Sequence, residues 1–266
     1  MRRHSRLLTA ALFALTLPAV SACRSGVTQD PILKLGAEES LAQGKDLMTK
    51  QKYEKARPYF THAFEVEPNS AVGREGLLLA ADTYYLEGGS PNFIQAEAKY
   101  RDFLNRFPTS AQAGYVQFQI ANSLAKRMER PDRDQSVTRK ALDAYQELVR
   151  LYPTSEYATQ AQQQIKLVNA NLAEHEFIIG RFYMRYGVPY PAAERFQFLL
   201  DTYPDYPDKD KVLYNLVLAY RQSNRPDEAK KALDRLRTEY PNSHWLAQLP
   251  ERKSGEPEHK SGEKGK

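Results

Sequence analysis

Ala56-Arg57-Pro58-Tyr59-Phe60-Thr61-His62-Ala63-Phe64-Glu65-Val66-Glu67-Pro68-Asn69-Ser70 reads as one helix face followed by a stop, and its skeleton returns four more times. The repeated alanines are Ala56, Ala96, Ala141, Ala192 and Ala229, and the prolines twelve residues on are Pro68, Pro108, Pro153, Pro204 and Pro241. Four residues after each alanine stand Phe60, Tyr100, Tyr145, Phe196 and Leu233; seven after it stand Ala63, Phe103, Leu148, Leu199 and Leu236. That spacing puts one apolar stripe on each helix. Proline forces its predecessor out of the α region and ends the helix. Ser70, Ser110, Ser155 and Ser243, two residues past four of the prolines, are good N-caps for the next helix. One unit repeated five times predicts an all-α fold, an α-solenoid of five helix pairs.

Working back from Ala56, the first unit carries Gly44, Tyr53, Phe60, Ala63 and Pro68, which follows the tetratricopeptide pattern. Its first helix is predicted from about Glu38 to Lys50, with Leu41, Gly44 and Met48 inward. The second pairs Ala71–Tyr85 with Gln95–Arg106 across a Gly88-Gly89-Ser90-Pro91 turn. In the third, Val116, Ile120 and Leu124 face inward, and the charged link Arg127–Ser136 reads either as a functional insertion or as a solvated spacer. From Ser155 to Tyr186 no proline occurs, which predicts one helix of about 30 residues. Ile165, Leu167, Val168, Leu172, Phe177, Ile178, Phe182 and Tyr183 form its apolar stripe, and it joins the first three repeats rigidly to the last two. The fifth unit is Lys211–Gln222 with Asp227–Glu239. The repeat domain thus spans 36–247, and the polar segment 248–266 is expected to be disordered.

Residues 1–22 read as a secretory leader: Arg2, Arg3 and Arg6, then an apolar run from Leu7 to Val20. Val20-Ser21-Ala22-Cys23 resembles the bacterial lipobox, and the single cysteine falls where that motif places its lipid. Lipidation of Cys23 then anchors the chain without a spanning helix. Residues 23–35 form the lipidated cysteine and a flexible tether. Arg24 stands where an inner-membrane retention aspartate is absent, so the expected address is the periplasmic face of the outer membrane. Without the three leader arginines the net charge of +5 falls to about +2, which argues against nucleic acid as a partner.

No catalytic or metal-binding residue is expected. The five histidines, His4, His62, His175, His244 and His259, are scattered without ligand spacing, and neither a phosphate loop nor a nucleophile elbow occurs. His62 with Glu65, and His175 near Glu174, read as solvated helix contacts. The chain therefore reads as a binding protein without a cofactor.

Asp132-Arg133-Asp134, Leu148–Ala158 and Leu172–Gly187 resemble corresponding phrases of the BamD (YfiO) family, the tetratricopeptide lipoproteins of the β-barrel assembly machinery. The first two repeats depart from that pattern at Phe64-Glu65-Val66-Glu67-Pro68. The resemblance implies a periplasmic scaffold that docks on an outer-membrane β-barrel insertase (BamA-like), shares a complex with other assembly lipoproteins, and helps deliver unfolded outer-membrane protein segments. It implies that Arg195, in Ala192-Ala193-Glu194-Arg195-Phe196, is a partner-binding residue of the last repeats. It places a substrate groove on the concave side of the first repeats, with Tyr53, Tyr84 and Tyr85 as aromatic contacts for an extended segment. The competing binding class is a tetratricopeptide coordinator of cell division or peptidoglycan synthesis. That class usually follows a coiled coil, and no long heptad run is present.

Overall fold

A computed structural model describes residues 30–250; Cys23, the rest of the leader and residues 251–266 lie outside the described residues. Among the described residues all regular structure is helical. Five pairs follow in order: α1 (Ala37–Thr49) with α2 (Tyr53–Val66), α3 (Ala71–Glu87) with α4 (Ser90–Arg106), α5 (Ala113–Ala125) with α6 (Ser136–Leu151), α7 (Ala158–Arg185) with α8 (Pro189–Thr202), and α9 (Lys209–Gln222) with α10 (Pro226–Glu239). A short α11 (His244–Ala247) closes the series, and each long helix packs on the next in sequence. A 3-10 turn at Pro31–Lys34 precedes α1, inside the segment expected to be a tether.

The prolines end the helices as predicted. Glu67, Phe107, Tyr152, Tyr203 and Tyr240, each just before its proline, share φ between −121° and −136° and ψ between 55° and 71°. All five have left the α region, which proline closes to its predecessor, while each backbone N–H still reaches the carbonyl four residues back. Ser70 caps α3 through its side chain, which accepts from the Gly73 N–H at 2.9 Å. Ser110 and Ser155 do not cap directly. Each fixes a tight turn three residues before its helix, accepting from Gln112 N–H and Tyr157 N–H respectively.

One predicted boundary and one predicted face change. α4 begins at Ser90 rather than Gln95, so the turn is only Gly88-Gly89, both at positive φ. Pro91 sits in the first helical turn, where its missing N–H has no intrahelical partner to lose. On α7, Val168, Leu172 and Phe177 are buried as expected, but Leu167 is 63% and Phe182 51% exposed. A 28-residue helix turns more faces outward than its neighbours can cover.

All five repeated alanines are buried. At Gly44 an added Cβ would fall 2.6 Å from the Phe60 ring, and at Gly180 it would overlap Phe196 in the same way. Three clusters make the core. The first gathers Leu41, Ala56, Phe60, Ala63 and Ala80; the second runs from Leu77 to Leu172; the third runs from Ala173 to Leu236. α7 belongs to both of the last two, changing allegiance between Leu172 and Ala173. One continuous helix thus joins the first three repeats to the last two, at the place the sequence predicts it.

Between the second and third units lies a buried carboxylate. Asp82 of α3 accepts hydrogen bonds from the hydroxyls of Tyr100 at 2.6 Å and Tyr115 at 2.9 Å, and Tyr115 in turn accepts from Gln119 Nε2 at 3.0 Å. Three helices are thus tied through one oxygen. Burial raises the Asp82 carboxyl above its ordinary 3.8, and the two hydroxyls pull it back only in part. The Tyr100 and Tyr115 hydroxyls are pushed up by the same burial and by the Asp82 charge.

Phe60→Ala is expected to cost about 3–5 kcal/mol by opening a cavity, with amide protection lost first in α1 to α3; uniform loss of protection along the array refutes this local coupling. An acid whose folded pKa is raised lends stability that is complete below its unfolded pKa and is lost as pH rises through the folded value. Asp82→Asn keeps an oxygen for both tyrosines and removes the charge. It should raise the denaturation midpoint at pH 7 relative to pH 4, measured by urea titration at both values, and a midpoint difference identical to wild type contradicts the assignment.

Candidate docking site

The polar side chains of one α7 stretch, Asn171–Glu176, tie together elements far apart in the chain. Asn171 Nδ2 donates to the Glu129 carbonyl at 3.3 Å and His175 Nδ1 donates to the Pro131 carbonyl at 2.6 Å. Glu174 accepts from the Tyr206 hydroxyl in the link before α9, and Glu176 accepts from Arg195 Nη1 of α8 at 3.0 Å. Burial and the Glu174 carboxylate both push the Tyr206 hydroxyl up.

The Arg127–Ser136 link is therefore neither a free spacer nor a loose insertion. Gln135 Nε2 donates to the carbonyls of Arg130 at 2.8 Å and Arg133 at 3.1 Å, closing the link on itself. Asp134 accepts from the Ser136 N–H at 2.9 Å at the start of α6. The Ser136 hydroxyl and N–H, with lesser help from Arg139 and His175, hold the Asp134 carboxyl below its usual range. His175 is thus a structural tie rather than a solvated contact. His62 is another: it is buried, and its Nε2 donates to the Leu35 carbonyl at 3.1 Å, fixing the segment before α1 onto α2.

Arg195 is not a plain solvated arginine either. Its guanidinium is paired with Glu176, a buried carboxylate on the Ala173-Glu176-Phe177-Gly180 stripe of α7. A charged residue at i+3 within a stripe of buried small and aromatic positions was the sequence signal for this partner. Beyond it, the end of α7 and the start of α8 expose an apolar and basic corner. Phe182 and Tyr186 lie against each other, rings tilted, with centroids 4.5 Å apart, Tyr186 is 66% exposed, and Val188 and Tyr190 are exposed beside them in sequence. Arg225 lies over the Tyr190 ring at 4.2 Å. Arg181 and Arg185 flank Phe182 and form no ion pair among the described residues. Clustered exposed aromatics of this kind mark contact surfaces.

The three tyrosines expected in a groove do not form one surface. Tyr84 lies under the Arg57 guanidinium at 3.5 Å, and Arg57 also donates to Thr83 Oγ1 at 3.1 Å and pairs with Glu87. Tyr85 turns to Phe93 of α4, with centroids 5.7 Å apart, and burial pushes its hydroxyl up. Consecutive helix residues point about 100° apart, so Tyr84 and Tyr85 serve different neighbours. Tyr53, half-buried at the start of α2, shares the Arg57 side one turn away. Near it, a recess of about 390 Å³ lies between the 3-10 turn and α2, lined by residues including Ile32, Arg57 and His62. Among the described residues no cluster of three acidic, histidine or cysteine side chains could hold a metal ion, and no helix is long and apolar enough to cross a membrane.

The fold and these surfaces can be set beside known proteins. A protein from Rickettsia prowazekii named outer membrane protein assembly factor BamD is 30% identical over 205 residues, covering 77% of this chain and 80% of the relative. A protein of the same name from Neisseria meningitidis is 28% identical over 241 residues, covering 86% and 90%. A putative BamD from Aquifex aeolicus is 30% identical over 253 residues, covering 90% and 80%. Residues 36–236, from just before α1 into the last turn of α10, match the family described as YfiO, outer membrane lipoprotein. With the five-pair solenoid extending over the whole matched range, the chain belongs to the YfiO family of outer membrane lipoproteins.

Proposed function

We propose that the chain is an outer-membrane protein assembly factor: a scaffold rather than an enzyme, held at the periplasmic face of the outer membrane by lipid on Cys23. Its last repeats dock on a β-barrel insertase in company with other assembly lipoproteins. Its first repeats take up unfolded outer-membrane protein segments. The observation that carries this reading is the match to relatives named as assembly factors along nearly the whole solenoid.

The shape and chemistry of the surface support the division of labour. The exposed aromatic and basic corner of α7 and α8 has the residue types that dominate protein contact energies. The Tyr53, Arg57 and Tyr84 group on the first two repeats offers an aromatic and cationic surface to an extended chain. A lipid on Cys23 suits a repeat domain in which no described helix spans the bilayer.

The test is affinity purification of the lipidated protein from detergent-solubilised membranes, followed by mass spectrometry. Wild type is run beside Phe182→Ser/Tyr186→Ser and Cys23→Ala. Recovery of a β-barrel insertase, reduced in the corner variant, with Cys23→Ala shifted out of the membrane fraction, is the expected result. Division or wall-synthesis proteins in place of any barrel protein sink the assembly reading while leaving the solenoid intact.

A further inference from the structure

Glu176 is a buried carboxylate of the C-terminal half, and the one cation paired with it among the described residues is half in solvent. Its side chain is 7% exposed, against 44% for Arg195, and the contact uses one guanidinium nitrogen, Nη1, at 3.0 Å. A buried carboxylate needs a hydrogen-bonded counter-charge, so the pair is obligatory for Glu176. For Arg195 it is not, since a guanidinium has five donors in a planar fork and solvent already reaches this one. Among the described residues Arg195 has no second partner.

Glu176 cannot follow the arginine outward. The neighbouring residues of the same turn are held on other elements, Glu174 by Tyr206 and His175 by the Pro131 carbonyl. Ala173, Phe177 and Gly180 are buried on the Glu176 side of α7. Along α8, the residue one turn beyond Arg195 is the exposed Phe198, set edge-on to Tyr203 at 6.4 Å. Arginine is among the residue types that carry most of the binding energy at protein interfaces.

From this geometry we infer that Glu176 is a positioning residue. It pins one corner of the Arg195 guanidinium from below and so presents the remaining donors, next to Phe198, in a single orientation to the docking protein. The inference rests on the reading that the last repeats dock through Arg195. A free arginine loses side-chain freedom on binding, and Glu176 removes part of that freedom beforehand. Ordering one such side chain is worth about two- to tenfold in affinity.

The experiment measures insertase recovered per bait from solubilised membranes, with thermal unfolding of each variant recorded in parallel. Glu176→Gln keeps an acceptor for Nη1 and should stay within about twofold of wild type. Glu176→Leu fills the buried site without an acceptor and frees the arginine; recovery should fall about two- to tenfold at unchanged cooperativity of unfolding. Arg195→Ala should fall at least as far, and the Arg195→Ala/Glu176→Leu double variant no further than Arg195→Ala alone. A purely structural ion pair gives a different pattern, with Glu176→Leu leaving recovery at the wild-type level while Arg195→Ala lowers it. That result overturns the positioning role and spares the docking reading. Unchanged recovery in Arg195→Ala removes the docking reading and the positioning role together. Should Glu176→Leu fail to fold, the Arg195 Nε–H resonance in the wild-type protein decides. Restricted side-chain motion that persists in Glu176→Gln supports the inference, and free averaging in wild type overturns it.

Discussion

The constraint on which the solenoid depends is how closely two helices of a pair can approach. At Ala56, Ala96, Ala141, Ala192 and Ala229 the side chain is a single methyl group, and all five positions are sealed from solvent. A larger side chain there forces the helices apart and takes the large residue four positions later, aromatic in four of the five units, out of its seat. Gly44 against Phe60 and Gly180 against Phe196 apply the same rule from the facing helix, with even the methyl removed. Large and small residues alternate across the contact, and that alternation makes an aromatic core dense rather than merely apolar.

This constraint explains what could be read from the sequence. The alanine-aromatic-proline spacing is local, so helix pairs, their inward faces and their ends follow from it, down to the shared conformation of Glu67, Phe107, Tyr152, Tyr203 and Tyr240. What was illegible depends on contacts between distant residues. Arg195 and Glu176 are 19 residues apart on different helices. The Arg127–Ser136 link looks like solvated charge until Asn171 and His175, more than 40 residues later, supply its anchors. Leu167 and Phe182 keep a helical stripe that the sequence cannot distinguish from a buried one. Tyr84 and Tyr85 face different neighbours because adjacent helix residues diverge, a fact available beforehand from helix geometry alone.

Polar groups placed inside the array serve to fix its parts in relation to one another. Asp82 gathers three helices at the second junction, and Asn171 to Glu176 gather the Arg127–Ser136 link, α8 and the link before α9 at the fourth unit. Hydrophobic contacts alone would let stacked pairs slide, whereas directional bonds of this kind select one arrangement. The aromatic corner after Arg181, which is left uncovered, and the half-buried Tyr53, Arg57 and Tyr84 group are therefore held at set positions on the array.

The passage of α7 from one core cluster to the next at Leu172 and Ala173 also fixes an angle. Each helical residue contributes about 100° of rotation and 1.5 Å of rise, so the residue count of α7 sets the dihedral twist between the two halves of the molecule. One residue gained or lost between the clusters would swing the whole C-terminal half about a third of a turn, with every contact inside each half unchanged. Length variation in this helix is thus a change of aim. A scaffold that must offer one surface to a machine and another to its cargo can keep both surfaces and still lose function when the phase between them slips.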